Sequence, residues 1–250
     1  MNNEYLISNE FHKLEKITTS DNIQNIILIG MGASTANSKA LASFLEIKKK
    51  LIFIDSLEIE IIDQKLLGTD VNNSIIVAIS KSGSTDETNY ILKYILEEKL
   101  NNAICYVITE NYDSDIVQIG NISKNYNFFE YEKSISGRFS VLKSSSFFPL
   151  ILAGLPINKL PKLEDDDQSF LDLAQNLIKN YQEGRNILII SIYNQKYLGF
   201  AQWLCQIIAE SLGKNGYGMT PVISIGSCDE HSQLQLYLDG PDDKLFYIIP

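Results

Sequence analysis

The chain has 250 residues, 45% of them hydrophobic and 10% aromatic, with six prolines, so it can bury one or two cores and is not disordered in composition. A formal net charge of −10 argues against a sequence-independent grip on nucleic acid. No apolar run approaches the ~20 residues that span a bilayer, and the opening MNNEYLISNEF lacks the basic-then-apolar layout of a signal peptide. The expectation is a cytoplasmic chain engaging neither nucleic acid nor membrane.

In chain order, NIILI (25–29) reads as a strand followed by a Gly-rich turn and a helix to about residue 46. LIFID (51–55), SIIVAIS (74–80) and AICYVIT (103–109) are continuous apolar strands, the pattern of a sheet covered on both faces. Between the last two, ETNYILKYILEE (87–98) is an amphipathic helix. This alternation predicts an α/β fold with a doubly wound, mostly parallel sheet. After NFFEY (127–131), the apolar segment 139–154 predicts a buried helix. A first domain is expected over 1–154, a linker over 155–168 with two prolines and an acidic run, and a smaller second domain over 169–250. The second holds a helix near 168–181, a strand NILIISI (186–192), a helix over 197–212, and strands PVISIG (221–226) and KLFYII (244–249).

Four segments can carry chemistry. In IGMGASTANSKA (29–40), Gly30 and Gly32 join a strand to a helix, where backbone N–H groups can approach an anion. Thr35 replaces the third glycine of a dinucleotide fingerprint, so a nicotinamide cofactor is not expected. A plain turn capped by Ser34 or Thr35 is the other reading. SKSGSTDET (80–88) offers the hydroxyls of Ser80, Ser82, Ser84, Thr85 and Thr88 around Lys81 and Gly83. Short donors, free N–H groups and one cation at a helix start suit a phosphate monoester. Ser84-Thr85-Asp86-Glu87 also fits a capping box. The Walker pattern is absent here and around Lys214.

SGRFS (136–140) places Arg138, one of only two arginines, in a turn. A permanently charged guanidinium suits a developing oxyanion, though it can equally serve an ordinary salt bridge. Finally, Glu210 is the lone charge in YLGFAQWLCQIIAESL (197–212) and stacks with Gln202 and Gln206 at four-residue spacing. An anion is disfavoured at the negative end of a helix, as suits a carboxylate that must accept a proton. The stripe is expected to border an enclosed polar site; a helix-end pair with Lys214 is the alternative. His231 follows in CDEHSQLQLYLDGP (228–241). The three cysteines and two histidines show no metal-ligand spacing.

Together IGMGAS, SKSGSTDET, SGRFS, AESLGKNGYGMTPV and DEHSQLQLYLDGP, in that order, resemble the glucose-6-phosphate isomerase family, built from two sugar-isomerase (SIS) domains. The resemblance implies a phosphate cradle of Ser80, Lys81, Ser82 and Thr85, with Gly32 and Ser34 lining the sugar site. It implies Arg138 steadying an enediolate, Glu210 moving the proton between C2 and C1, and His231 assisting ring opening. That histidine is presented by the neighbouring subunit in the family, so a homodimer is implied, with a sugar phosphate as substrate and no metal or other cofactor.

Two departures stand out: Ala33 and Ser136 each replace a usual glycine, which removes some backbone freedom near the ligand. Family chains also continue past the position of Pro250, where they supply further helices, a glutamine at the substrate and a lysine near the C-terminus. The second SIS domain is therefore expected to be incomplete. A catalytically weak or inactive sugar-phosphate-binding protein is the alternative function, and an isomerase for another sugar phosphate is a third.

Overall fold

The computed structural model describes Leu14, Ile17, and residues 19–133, 135–159 and 167–250. The sequence readings that fall on 1–13 and 160–166, including His12, the N-terminal lead-in and half of the linker, lie outside the described residues. The chain divides into two compact units, Met1–Lys159 and Leu160–Pro250.

The first unit is a five-stranded parallel sheet of β1 (Asn25–Ile29), β2 (Lys50–Ile54), β3 (Ser74–Ile79), β4 (Ile104–Thr109) and β5 (Tyr126–Glu130), in the order β2-β1-β3-β4-β5. Every residue of β1 and β3 is buried, which explains why their sequences are apolar without alternation. The edge strands β2 and β5 are buried only in part. Among the described residues, five α-helices accompany the sheet: α1 (Ala33–Ala42), α2 (Ile59–Lys65), α3 (Asp86–Tyr94), α4 (Asp115–Gly120) and α5 (Ser144–Leu152). A π-helical turn over Ile95–Lys99 extends α3 to the end of the predicted helix. Its core includes Ile27, Ile29, Ile76, Ile91, Leu92 and Val107, each fully buried. Truncating one such side chain to alanine costs about 2–5 kcal/mol.

One expectation is corrected here. The helix predicted over 139–154 begins only at Ser144, because Gly137–Phe139 forms a separate 3-10 turn and Lys143 takes an extended backbone. The helices α2 and α4 escape the sequence pattern, since seven and six residues are too few for a 3.6-residue period to show.

The second unit has a three-stranded parallel sheet, order β7-β6-β8, from β6 (Ile187–Ile192), β7 (Thr220–Ile225) and β8 (Lys244–Ile249). With it go α6 (Asp167–Gln182), α7 (Leu198–Leu212) and α8 (Cys228–Asp239). Its core is built from Leu188, Ile190 and Ile192 of the central strand with Ala201 and Ile208 of α7.

Strand order fixes where a ligand can sit in the first unit. From β1 the chain goes outward to β2, then returns past β1 to β3 on the other side. The carboxyl ends of β1 and β3 therefore flank the switch point of the sheet, where their outgoing connections part and leave a crevice.

Candidate active site

Both Gly- and Ser-rich loops emerge at that switch point. After β1, a Cβ on Gly30 would lie 2.7 Å from Ser34 Cβ and 2.9 Å from Ile79 O, so only glycine lets this turn rest on the end of β3. Gly32, at φ 54° and ψ −126°, precedes α1 and supplies no side-chain cap. Ser34 and Thr35 lie inside the first turn of α1, so the alternative of a hydroxyl-capped turn is not what forms. The first turn of α1 also carries no acid, leaving its partial positive charge unopposed locally.

After β3, the loop of Ser80–Thr85 is organised by its own hydroxyls. Ser80 is only 2% exposed; its Oγ accepts from Gly83 N–H at 3.1 Å and lies 2.9 Å from Thr85 Oγ1. Ser82 Oγ is exposed and accepts from the N–H and hydroxyl of Ser84 at 3.2 and 3.0 Å. Thr85 precedes α3 without capping it, so the capping box is not made. The hydroxyls of Ser84 and Thr85 bond across the loop instead. The Lys81 carbonyl accepts from Thr109 Oγ1 and Glu110 N–H, both at 3.0 Å, which pins the loop to the end of β4. Lys81 Nζ donates to Ile135 O at 2.9 Å and stands 3.9 Å from Glu110 Oε2. The first turn of α3 carries Asp86 and Glu87, both exposed, so the anion-favouring helix end here is that of α1.

The Lys81–Ile135 bond also ties this loop to the segment bearing Arg138. Arg138 sits in the Gly137–Phe139 turn with its guanidinium carbon 5.0 Å from the Phe139 ring. A Cβ on Gly137 would stand 3.3 Å from Ala33 Cβ, so the turn rests against the first residue of α1. Asn37 of α1 donates to Gly137 O at 3.0 Å and to Ser140 Oγ at 2.9 Å. Gly32, Ser34, Ser80, Lys81, Ser82, Thr85 and Arg138 thus share one edge of the first sheet. The two departures leave the backbone unstrained: Ser136 adopts φ −63° and ψ 140°, and Ala33 is helical, conformations open to any residue.

The second unit places its two candidates apart. α7 packs with Ala201, Leu204, Cys205 and Ile208 toward the core, which leaves Gln202 and Glu210 exposed and Gln206 half-buried. The expected enclosure of that stripe is not provided by the described residues. Gln206 Nε2 donates to Glu210 Oε1 at 2.7 Å. Because β6 and β7 are parallel, α7 starts at their carboxyl edge and returns, so Glu210 in its last turn lies at the amino edge. His231, exposed in the first turn of α8, follows the end of β7 and lies at the carboxyl edge. Fifteen residues of α7 separate these edges by about 22 Å. Beside His231, Asp229 Oδ2 accepts from Ile225 N–H at 2.6 Å, and Tyr193 donates to Glu230.

Sequence reasoning missed Glu110, which stands by Lys81, and Asn37. The position of Glu110 immediately after a predicted strand was an available signal; Asn37 lies mid-helix and had none.

Among the described residues, no group of three or more His, Cys, Asp or Glu is placed to hold a metal ion. No helix among them is long and apolar enough to cross a membrane.

No family model matches the chain. It is 34% identical over 254 residues to the glucose-6-phosphate isomerase of Methanocaldococcus jannaschii, covering 93% of this chain and 61% of that protein. Against the glucose-6-phosphate isomerase of Campylobacter jejuni it is 32% identical over 252 residues, covering 92% and 61%. Over most of its own length the chain is thus similar in sequence to glucose-6-phosphate isomerases. It spans 61% of the length of each of these relatives. The fold is shared with a crystal structure of a glucose-6-phosphate isomerase from Chlamydia trachomatis, with a TM-score of 0.70 at 16% identity over 98% of this chain and 53% of that one. The parallel α/β architecture is thus the SIS fold of sugar-phosphate isomerases.

Proposed function

We propose that the chain interconverts glucose 6-phosphate and fructose 6-phosphate through a cis-enediol. The observation that carries this reading is the convergence of the Ser80–Thr85 loop, the Gly32–Ser34 turn and Arg138 at one switch point, in a chain similar in sequence to enzymes named for that reaction. The loop's hydroxyls and Lys81 hold the phosphate; this remote grip keeps the reacting carbons in register. Glu210 takes the proton from C2 and returns it to C1, so the exchange is balanced within the sugar and needs no hydride carrier. Arg138 stabilises the enediolate oxygen, and Ser34 and Gly32 line the sugar.

His231 assists ring opening. Its place at the sheet edge opposite Glu210 supports its acting on a neighbouring subunit's substrate, in a homodimer. The smaller sheet is read as part of a second SIS domain, and the setting as the cytoplasm.

The test incubates the protein with glucose 6-phosphate in deuterated water and follows the C2 proton by NMR. Exchange is expected, and Glu210→Gln should slow it by about 100-fold or more. Binding without exchange would leave a sugar-phosphate-binding protein instead.

A further inference from the structure

The Arg138 turn is held by a buried polar network. Gly137 O accepts from Asn37 Nδ2 at 3.0 Å and from the Ser140 hydroxyl at 2.7 Å. Ser140 Oγ in turn accepts from Asn37 Nδ2 at 2.9 Å and lies 2.9 Å from the Tyr131 hydroxyl. One amide therefore bonds on both sides of the arginine. Asn37 is 2% exposed in the middle of α1, and its Oδ1 is buried with no hydrogen-bond partner among the described residues. Packing alone would be served better by an apolar side chain, because a buried, half-satisfied amide lowers stability. What this amide achieves that an apolar group could not is a fixed geometry between α1 and the turn.

We propose that Asn37 is a positioning residue for Arg138, holding the arginine turn on the helix that Gly32 precedes and whose first turn carries Ser34. Its catalytic meaning rests on the isomerase reading above; the positioning itself does not. Asn37→Leu removes the donor at similar volume.

The full chain has two arginines, Arg138 and Arg185, so [15N]arginine labelling gives two side-chain Nε signals, assigned by Arg138→Lys. Arg185 is clamped by Glu183 and Asp242 and serves as the internal control. In Asn37→Leu the heteronuclear NOE of Arg138 Nε should fall toward that of a freely moving arginine while Arg185 is unchanged. An unchanged Arg138 signal overturns the proposal. If Asn37→Leu does not fold, shown by collapse of both signals, Ser140→Ala decides between the same two outcomes.

Turnover gives the second arm. Asn37→Leu should lower kcat about tenfold to 100-fold with KM little changed, and Asn37→Leu/Arg138→Ala should match Arg138→Ala alone. A double variant well below Arg138→Ala would mean that Asn37 acts by another route and would overturn the proposal. If Arg138→Ala leaves exchange intact, the isomerase role of Arg138 fails, and the NMR arm still decides the positioning.

Discussion

Gly83 shows how little freedom the Ser80–Thr85 loop has. Its φ is +74°, and a Cβ there would meet Ser114 Oγ at 2.1 Å and Thr109 Oγ1 at 2.9 Å. Gly68 has a similar φ of +79° with nothing within 4 Å, so it isolates the backbone term from the steric one. Gly68→Ala should therefore cost only about 1 kcal/mol of strain. Gly83→Ala adds overpacking against the end of β4 and should cost roughly 3 kcal/mol or more. Urea unfolding measures both, and calorimetric titration with inorganic phosphate should show weakened binding in Gly83→Ala alone. The loop's hydroxyl content was legible in the sequence; its anchoring to Ser114 and Thr109 was not, because Thr109 ends β4 and Ser114 follows it, 26 and 31 positions from Gly83.

At the level of elements, the β4–β5 pair carries a built-in alkaline weakness. Cys105 of β4 faces Tyr126 of β5 in register. Burial pushes the Cys105 thiol up to about 12 from an ordinary 9.0. The Tyr126 phenol also rises to about 12 from 10.0, through burial first and then the neighbouring Tyr112 and Cys105. Both groups are neutral below their unfolded values, so their contribution to stability is fully present there. It is lost as pH climbs from about 9 toward 12, because the unfolded chain sheds these protons first. The urea midpoint should be level near neutrality and fall above pH 9, and Cys105→Ala/Tyr126→Phe should flatten that fall. The apolar strands could be read directly, since a strand covered on both faces must be apolar throughout. The capping alternatives for 84–87 and for Ser34 or Thr35 could not be decided that way: one local sequence serves either a helix cap or a loop network, and long-range contacts choose.

For the whole molecule, the separation of Glu210 and His231 by the length of α7 makes subunit exchange a direct test of the proposed dimer. Glu210→Gln and His231→Ala should each be nearly inactive. Mixed by refolding, they form hybrids in which one site has an intact glutamate from one subunit and an intact histidine from the other. Random pairing should then restore about a quarter of wild-type activity. No recovery, or a strict monomer on sizing, would count against His231 acting across an interface.

The sequence alone determined the parallel α/β class, the strands of both sheets and the composition of the Ser80–Thr85 loop, because burial on two faces and turn chemistry are written in consecutive residues. Only the tertiary structure decided which loops meet. Strand order brings residues 30–34 and 80–85 to one crevice, Asn37 and Lys81 bring the Arg138 turn to it, and the return of α7 puts Glu210 and His231 at opposite edges of their sheet. The physical reason is that adjacency in a parallel sheet depends on where each crossover docks, a long-range choice that no local pattern of residues encodes.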